Sequence, residues 1–210
     1  MAPRPRGART AEAIRQAAVD LFYKHGYDTT ALRDIAEVVG VNVGSLYNHI
    51  PSKEQLLFSI MSGVMHDLLA SLERALQPYT GAVDRMRAAV ECHVTFHAER
   101  AKEIFIGNSE LRSLSKADRR AVVGLRDRYE EHFLRILEQG AEAGVFHCTD
   151  AKLLTYAILA TGTQVSAWYK RRGRLSLRQI ASTYSDFVLR GLTNDRPQVP
   201  FGEVLEVQAS

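Results

Sequence analysis

Long apolar runs are missing from this chain. No stretch of eighteen or more apolar residues interrupts its 210 residues, so an uninterrupted membrane-spanning segment is not expected. Cysteine is scarce. Cys92 and Cys148 lie far apart with no CxxC between them, which excludes a disulfide framework and favours reduced thiols in a cytoplasmic compartment. The signatures GxSxG, GxGxxG, the P-loop and HExxH are all absent, so the common hydrolase, dinucleotide, nucleoside-triphosphate and metalloprotease chemistries find no support. No alternating strand pattern and no internal repeat is visible. The opening MAPRPRGAR has arginines with no apolar stretch behind them and does not read as a secretory signal. Charge of one sign is also lacking. A net +3 is small for a nucleic-acid binder, so any such function must rest on local charge.

What is present is helical periodicity, most informatively in residues 30–57, TALRDIAEVVGVNVGSLYNHIPSKEQLL. Thr30 reads as an N-cap, followed by Leu32, Ile35, Ala36 and Val39 on one stripe. Gly40 suits a left-handed helix end. Asn42 reads as the cap of a second short helix, Val43 to His49, anchored by Leu46. Gly44 is a poor helix former but permits close approach to another backbone. Pro51 stops this helix, and Ser52-Lys53-Glu54-Gln55 reads as a capping box opening a third. Lys53 in that first turn opposes the helix dipole unless it and the free N–H groups face a phosphate. Two short helices joined through a glycine turn are the pattern of a helix-turn-helix.

With these residues in view, the chain resembles the TetR/AcrR family of bacterial transcriptional regulators. The matching positions are Leu21-Phe22, Gly26-Tyr27, Thr30, Asp34-Ile35-Ala36, Gly40-Val41, Gly44, Leu46-Tyr47, His49 and Lys53-Glu54. The resemblance implies an all-α protein of about nine helices, with a three-helix DNA-binding head and a helical ligand-binding and dimerisation body. It implies phosphate contacts from Tyr47, His49 and Lys53, with Thr30 as the cap and Arg33 as a further candidate. Asn42, Val43, Gly44, Ser45 and Asn48 complete the expected DNA-facing set, Val43 against a thymine methyl and Ser45 and Asn48 toward base edges. Ala31 departs from the family, where a hydroxylated residue is usual, and Val43 replaces a residue that is often polar.

The expected divisions are a basic arm at 1–9, the DNA-binding head at 10–55, the body at 56–192 and an irregular tail at 193–210. Arg4, Arg6 and Arg9 in the arm either follow DNA phosphates or solubilise a tail. Thr10 reads as the cap of the first helix. Helices are expected over 52–77, 82–98, 101–114, 116–140, 151–171 and 176–191. A head of about 60 residues buries little surface and is marginal alone, so it should lean on the body through the helix opening at Ser52.

The family's body encloses an apolar pocket. Candidate liners are Met61, Met65, Phe96, Phe105, Tyr129 and Phe133, each equally readable as plain core. Gln164, Trp168, Arg171 and Arg172 end the 151–171 helix in an aromatic and cations. They read either as dipole-complementing residues or as a platform for a nucleotide phosphate, which resembles the acyl-CoA-sensing subgroup of the family. His93 and His97, four apart beside Cys92, can share a metal, but no third ligand is evident and a partly buried pair is preferred. No metal or cofactor is expected.

The resulting expectation is a homodimeric regulator in the bacterial cytoplasm, at the nucleoid. It would be a repressor released from a double-stranded, pseudo-palindromic operator by an apolar effector such as an acyl-CoA thioester. Drugs or other hydrophobic small molecules are the alternative effectors. An enzyme built on Glu91, His97, Ser109 and Glu110, or a helical carrier, are the distant alternatives. No membrane partner is expected.

Overall fold

The computed structural model describes residues 6–193. The expectations for Arg4 and for the tail from Asn194 lie outside these residues. Within them the chain forms ten α-helical segments, one 3-10 turn and no strand. They are α1 (Arg6–His25), α2 (Leu32–Val39), α3 (Val43–Tyr47), α4 (Lys53–Leu76), α5 (Ala82–Glu99), α6 (Ala101–Ser109), the 3-10 turn Leu111–Ser113, α7 (Lys116–Glu142), α8 (Ala151–Thr163), α9 (Val165–Trp168) and α10 (Leu177–Thr193). Counting α8 with the single turn of α9 gives nine helices, as expected from the sequence.

Two expectations at the front of the chain are corrected. Thr10 does not cap α1, which begins four residues earlier, so Gly7 to Arg9 continue the helix rather than form an arm. Thr30 does not cap α2 either. Ala31 occupies that position, and Asp34 reaches back to accept the Ala31 N–H at 2.8 Å. The Thr30 side chain is buried and donates its hydroxyl to the Gly26 carbonyl at 2.8 Å, closing the α1–α2 turn from inside. A further shift occurs at 101–114, where α6 ends at Ser109 and the rest becomes the 3-10 turn.

Two apolar cores result. The head core gathers Ile14, Ala18 and Phe22 from α1, Ile35 and Ala36 from α2, Leu46 from α3, and Leu56, Leu57, Ile60 and Met61 from α4. Ile106, Leu114 and Val122 from beyond α5 complete it. The body core centres on α5, which α4, α7, α8 and α10 pack around. Helix α4 therefore serves both: its first turns belong to the head and its residues from Val64 to Leu76 to the body. By length and average hydropathy α4 is capable of crossing a bilayer. Here its apolar positions fill the two cores, and His66, Asp67, Glu73 and Arg74 break the run.

The head leans on the body through more than α4. Asp20 on α1 pairs with Lys102 on α6 at 2.5 Å, and the Tyr23 and Phe105 rings meet edge to face at 5.3 Å. Glu54 accepts the Ser115 N–H at 2.7 Å, and the Gln55 amide donates to Asp118 at 3.1 Å. These exposed polar contacts each add about 0–1 kcal/mol. Full burial of side chains the size of Ile106 or Val122 contributes about 1.5–3 kcal/mol each. Apolar packing therefore holds the two parts together, and the polar contacts fix their register.

Candidate DNA-reading head and effector cavity

The turn between α2 and α3 is built by Gly40, whose φ of 74° an L side chain rarely adopts. The Val41 N–H donates to the Ala36 carbonyl at 3.0 Å and the Gly40 N–H to Glu37 at 3.1 Å. This doubly bonded end matches the Schellman motif. Asn42 then caps α3, its side-chain oxygen accepting the Ser45 N–H at 2.6 Å. Leu46 is fully buried and pins the short helix to the head core. Its other side is open: Val43, Gly44, Tyr47 and Asn48 are exposed, Tyr47 at 54%. Ser45 and His49 are half-buried beside them. Arg33 on α2 stands free, with a side chain 83% exposed and only a 3.6 Å approach to Asp34. An outward tyrosine, asparagine, valine and glycine on one short helix, flanked by a histidine and a mobile-length arginine, present donors and apolar contact to a nucleic-acid groove.

Two members of the expected DNA-facing set are arranged otherwise. Thr30 is buried, as described. Lys53 places its ammonium on three carbonyl oxygens of the α1–α2 turn, Tyr27 at 2.9 Å, Thr30 at 3.0 Å and Asp28 at 3.3 Å, and over the Tyr27 ring at 4.4 Å. An ammonium has three protons, and these carbonyls engage all of them. The positive charge that opposes the α4 dipole is thus compensated by carbonyls within the protein. The anticipated capping box is also only half formed. Ser52 accepts the Gln55 N–H at 3.0 Å, but the Gln55 side chain turns to Asp118 instead of returning to the cap.

A cavity of about 190 Å³ lies among α4, α5, α6, α7 and α8. Met61, Met65 and Tyr129 line it, as the sequence suggested. The other seven expected liners are placed elsewhere. Phe133 is fully buried behind Tyr129 and His93, with ring centroids 5.6 and 5.9 Å away. Phe96 packs beneath the Arg100 guanidinium. Phe105 faces Tyr23 on the outside, and Gln164 is exposed at the α8–α9 junction. Trp168 is half-exposed and lines a separate groove of about 220 Å³ with Tyr169, Arg174 and Ile180. Arg171 and Arg172 are exposed on the following turn and line neither hollow. The α8–α9 helix ends at Trp168, short of the run of cations, which leaves Arg171 and Arg172 beyond it.

The cavity instead draws polar groups that periodicity did not single out as liners: Glu103 and Asn108 from α6, Arg126 and Glu130 from α7, and Thr163 from α8. Most are already engaged. Arg100 holds Glu103 at 2.9 Å, Lys152 pairs with Glu130, and Arg126 donates to the Gly107 carbonyl at 2.7 Å. The spacing of His93 and His97 was a visible signal. Both are buried, and burial depresses their pKa values, that of His97 to about 4 and that of His93 well below the ordinary histidine range. Both are therefore neutral near pH 7. Gly162 makes the pair possible: a Cβ there would lie 2.4 Å from the His93 ring, so only glycine lets α8 approach α5 so closely. No cluster of three or more metal-ligating side chains exists among the described residues. Burial also raises the Cys92 thiol to about 11, which makes it a poor nucleophile.

A helix-turn-helix head whose second helix is exposed, fused to a helical body with a cavity between its helices, defines a DNA-binding transcriptional regulator. Residues 14–60 match the family model for bacterial regulatory proteins of the tetR family, and residues 79–192 match the tetracyclin repressor-like C-terminal domain. The chain belongs to the TetR family. A TetR-family regulatory protein from Rhodococcus RHA1 superposes with a TM-score of 0.83 at 34% identity, over 90% of this chain and 99% of that one. The transcriptional repressor KstR2 of Mycolicibacterium smegmatis is 27% identical over 187 residues, 88% of this chain and 91% of that protein. AibR, solved in complex with isovaleryl coenzyme A and operator DNA, gives a TM-score of 0.76 at 25% identity, over 88% of this chain and 98% of that one.

Proposed function

We propose that the protein is a dimeric repressor that leaves its operator when the acyl group of a coenzyme A thioester enters the cavity. One observation carries this reading. Met61 and Val122 belong to the head core and also line the cavity. A ligand that displaces either side chain acts directly on the packing that orients α3. Bistable packing of this kind converts a small displacement into a change of head position, and coupling energies of about 1–3 kcal/mol are usual.

The DNA-reading surface in this proposal is Val43, Gly44, Ser45, Tyr47, Asn48 and His49 with Asn42 as its cap, and Arg33 adds a phosphate contact. Thr30 and Lys53 support it from inside the head. The dimer forms through α8 and α10, which leave Leu153, Tyr156 and Phe187 exposed, Phe187 at 67%. Two heads on a two-fold axis then meet successive major grooves. The isovaleryl coenzyme A bound to AibR supports the acyl-CoA class, and a cavity of about 190 Å³ suits a short, branched or single-ring acyl group. An engineered apolar cavity of about 150 Å³ holds benzene. The regulator works in the bacterial cytoplasm, at the nucleoid.

The test is a DNA-binding titration with the chain's own upstream region, with and without short and branched acyl-CoAs. Retardation at low salt, reversed by a thioester and not by free coenzyme A, is expected. Binding that no thioester weakens would overturn the effector assignment, and no retardation at any salt would overturn the regulator reading itself.

A further inference from the structure

The histidine pair in the cavity has a determinate hydrogen-bond polarity. Carbonyl oxygens only accept. His93 Nε2 lies 3.1 Å from the Leu159 carbonyl, so Nε2 carries the proton. Its Nδ1 is then a lone pair, and the Tyr129 hydroxyl at 3.0 Å donates to it. His97 Nδ1 lies 2.8 Å from the His93 carbonyl, so it too is the protonated nitrogen. Both rings are neutral, as their burial requires. The remaining nitrogen, His97 Nε2, is a lone pair with no hydrogen-bond partner among the described residues. It sits on a side chain only 5% exposed that lines the cavity.

An acceptor on a cavity-lining ring with no protein donor is open to a donor carried by a ligand. Thr163 also lines the cavity. Its oxygen lies 3.3 Å from His93 Nε2, which leaves its own hydroxyl proton available. The cavity also carries the apolar side chains of Met61, Val64, Met65, Leu68, Ile104 and Leu159, and most of its charged groups are already paired. Such a site distinguishes an alcohol from a ketone. An alcohol donates to the histidine and accepts from the threonine, whereas a ketone only accepts.

We infer that the cavity selects a compact apolar group bearing a hydroxyl, which donates its proton to His97 Nε2. This rests on the cavity being the effector site. It specifies the acyl group proposed above as hydroxylated, but it does not depend on the thioester.

The test uses small probes without coenzyme A: cyclohexanol, cyclohexanone and methylcyclohexane, titrated into the full chain and into the His97→Phe variant. The ring nitrogens are followed by ¹⁵N NMR in histidine-labelled wild-type protein. In that protein Nε2 of His97 should resonate as an unprotonated nitrogen and shift on addition of cyclohexanol. In His97→Phe, cyclohexanol should weaken by about tenfold relative to the other two probes, the effect of one lost hydrogen bond. Equal changes for all three probes, no binding of cyclohexanol to the wild type, or a protonated Nε2 would each overturn the inference. The NMR arm stands even where the variant fails to fold. Alcohol selectivity without any acyl-CoA effect on DNA would sink the thioester proposal alone. Release of DNA by acyl-CoAs without alcohol selectivity would sink this inference alone.

Discussion

The head and the body handle buried polarity in opposite ways. The head ties its buried threonine, its cap residues and Lys53 to its own backbone. Thr30 bonds Gly26, Lys53 takes three carbonyls, and Asn42 and Ser52 cap their helices. The side chains proposed to meet DNA then lie at its surface, on and beside α3 and at Arg33. The body instead keeps polar groups inside, around a cavity, with one nitrogen of His97 left open. A small unit that must present a rigid surface has no stability to lose to an unsatisfied core. A larger one tolerates a hollow lined by polar groups.

Four experiments break or sharpen this contrast. The largest effect belongs to Leu46→Ala. The side chain is wholly buried, and such truncations cost about 2–5 kcal/mol. Differential scanning calorimetry should show the loss confined to a head transition, with specific DNA binding abolished and cavity ligands still bound. A uniform fall of the whole molecule would mean that head and body are one cooperative unit.

Acid should strike the body next. His97 ionises at about 4 when folded and near the ordinary value of 6.5 when unfolded. Above 6.5 both states are neutral and nothing is lost. Between 6.5 and 4 only the unfolded state gains the proton, so stability falls through that window, by on the order of 3 kcal/mol. His93, depressed still further, adds to the loss in the same direction. Denaturant melts across this range, repeated with His97→Gln, measure it. A variant with an unchanged pH profile would remove His97 from the account.

Lys53→Met comes third. Loss of one ammonium's hydrogen bonds to carbonyls should destabilise the head by about 1.5–3 kcal/mol. DNA affinity should fall with the slope of log K against log salt unchanged, because no phosphate contact is removed. A slope reduced by about one would restore Lys53 to the phosphate set. Arg33→Ala is the converse and the smallest in stability. Being exposed, it should change folding by no more than about 0.5 kcal/mol, yet lower that same slope by about one.

Comparing element by element shows where sequence was sufficient. Gly40, Asn42, Leu46 and Ser52 do what their types and spacing suggest, because caps and turns are local and their partners lie within five residues. Thr30 misled because it stands one residue before the true cap, and Ala31 offers no side chain to mark the boundary. The carbonyl partners of Lys53 could not be read from the sequence because they lie 23 to 26 residues away. Phe96, Phe105, Phe133 and Trp168 have the composition of pocket liners, and their periodicity shows that one face is buried. It does not say against which neighbour.

By itself the sequence determined the all-helical class, the helix-turn-helix and the exposure of Tyr47 and Asn48, since these follow from 3.6-residue periodicity and nearest-neighbour capping. Only tertiary structure decided that the cavity is lined by Glu103, Arg126 and Thr163 and not by Trp168 and the arginines after it. It alone showed that Gly162 lets α8 close on His93, and that His97 is left with a free lone pair. Cavities and tautomers arise where three or more helices meet, and that meeting depends on packing between residues tens of positions apart.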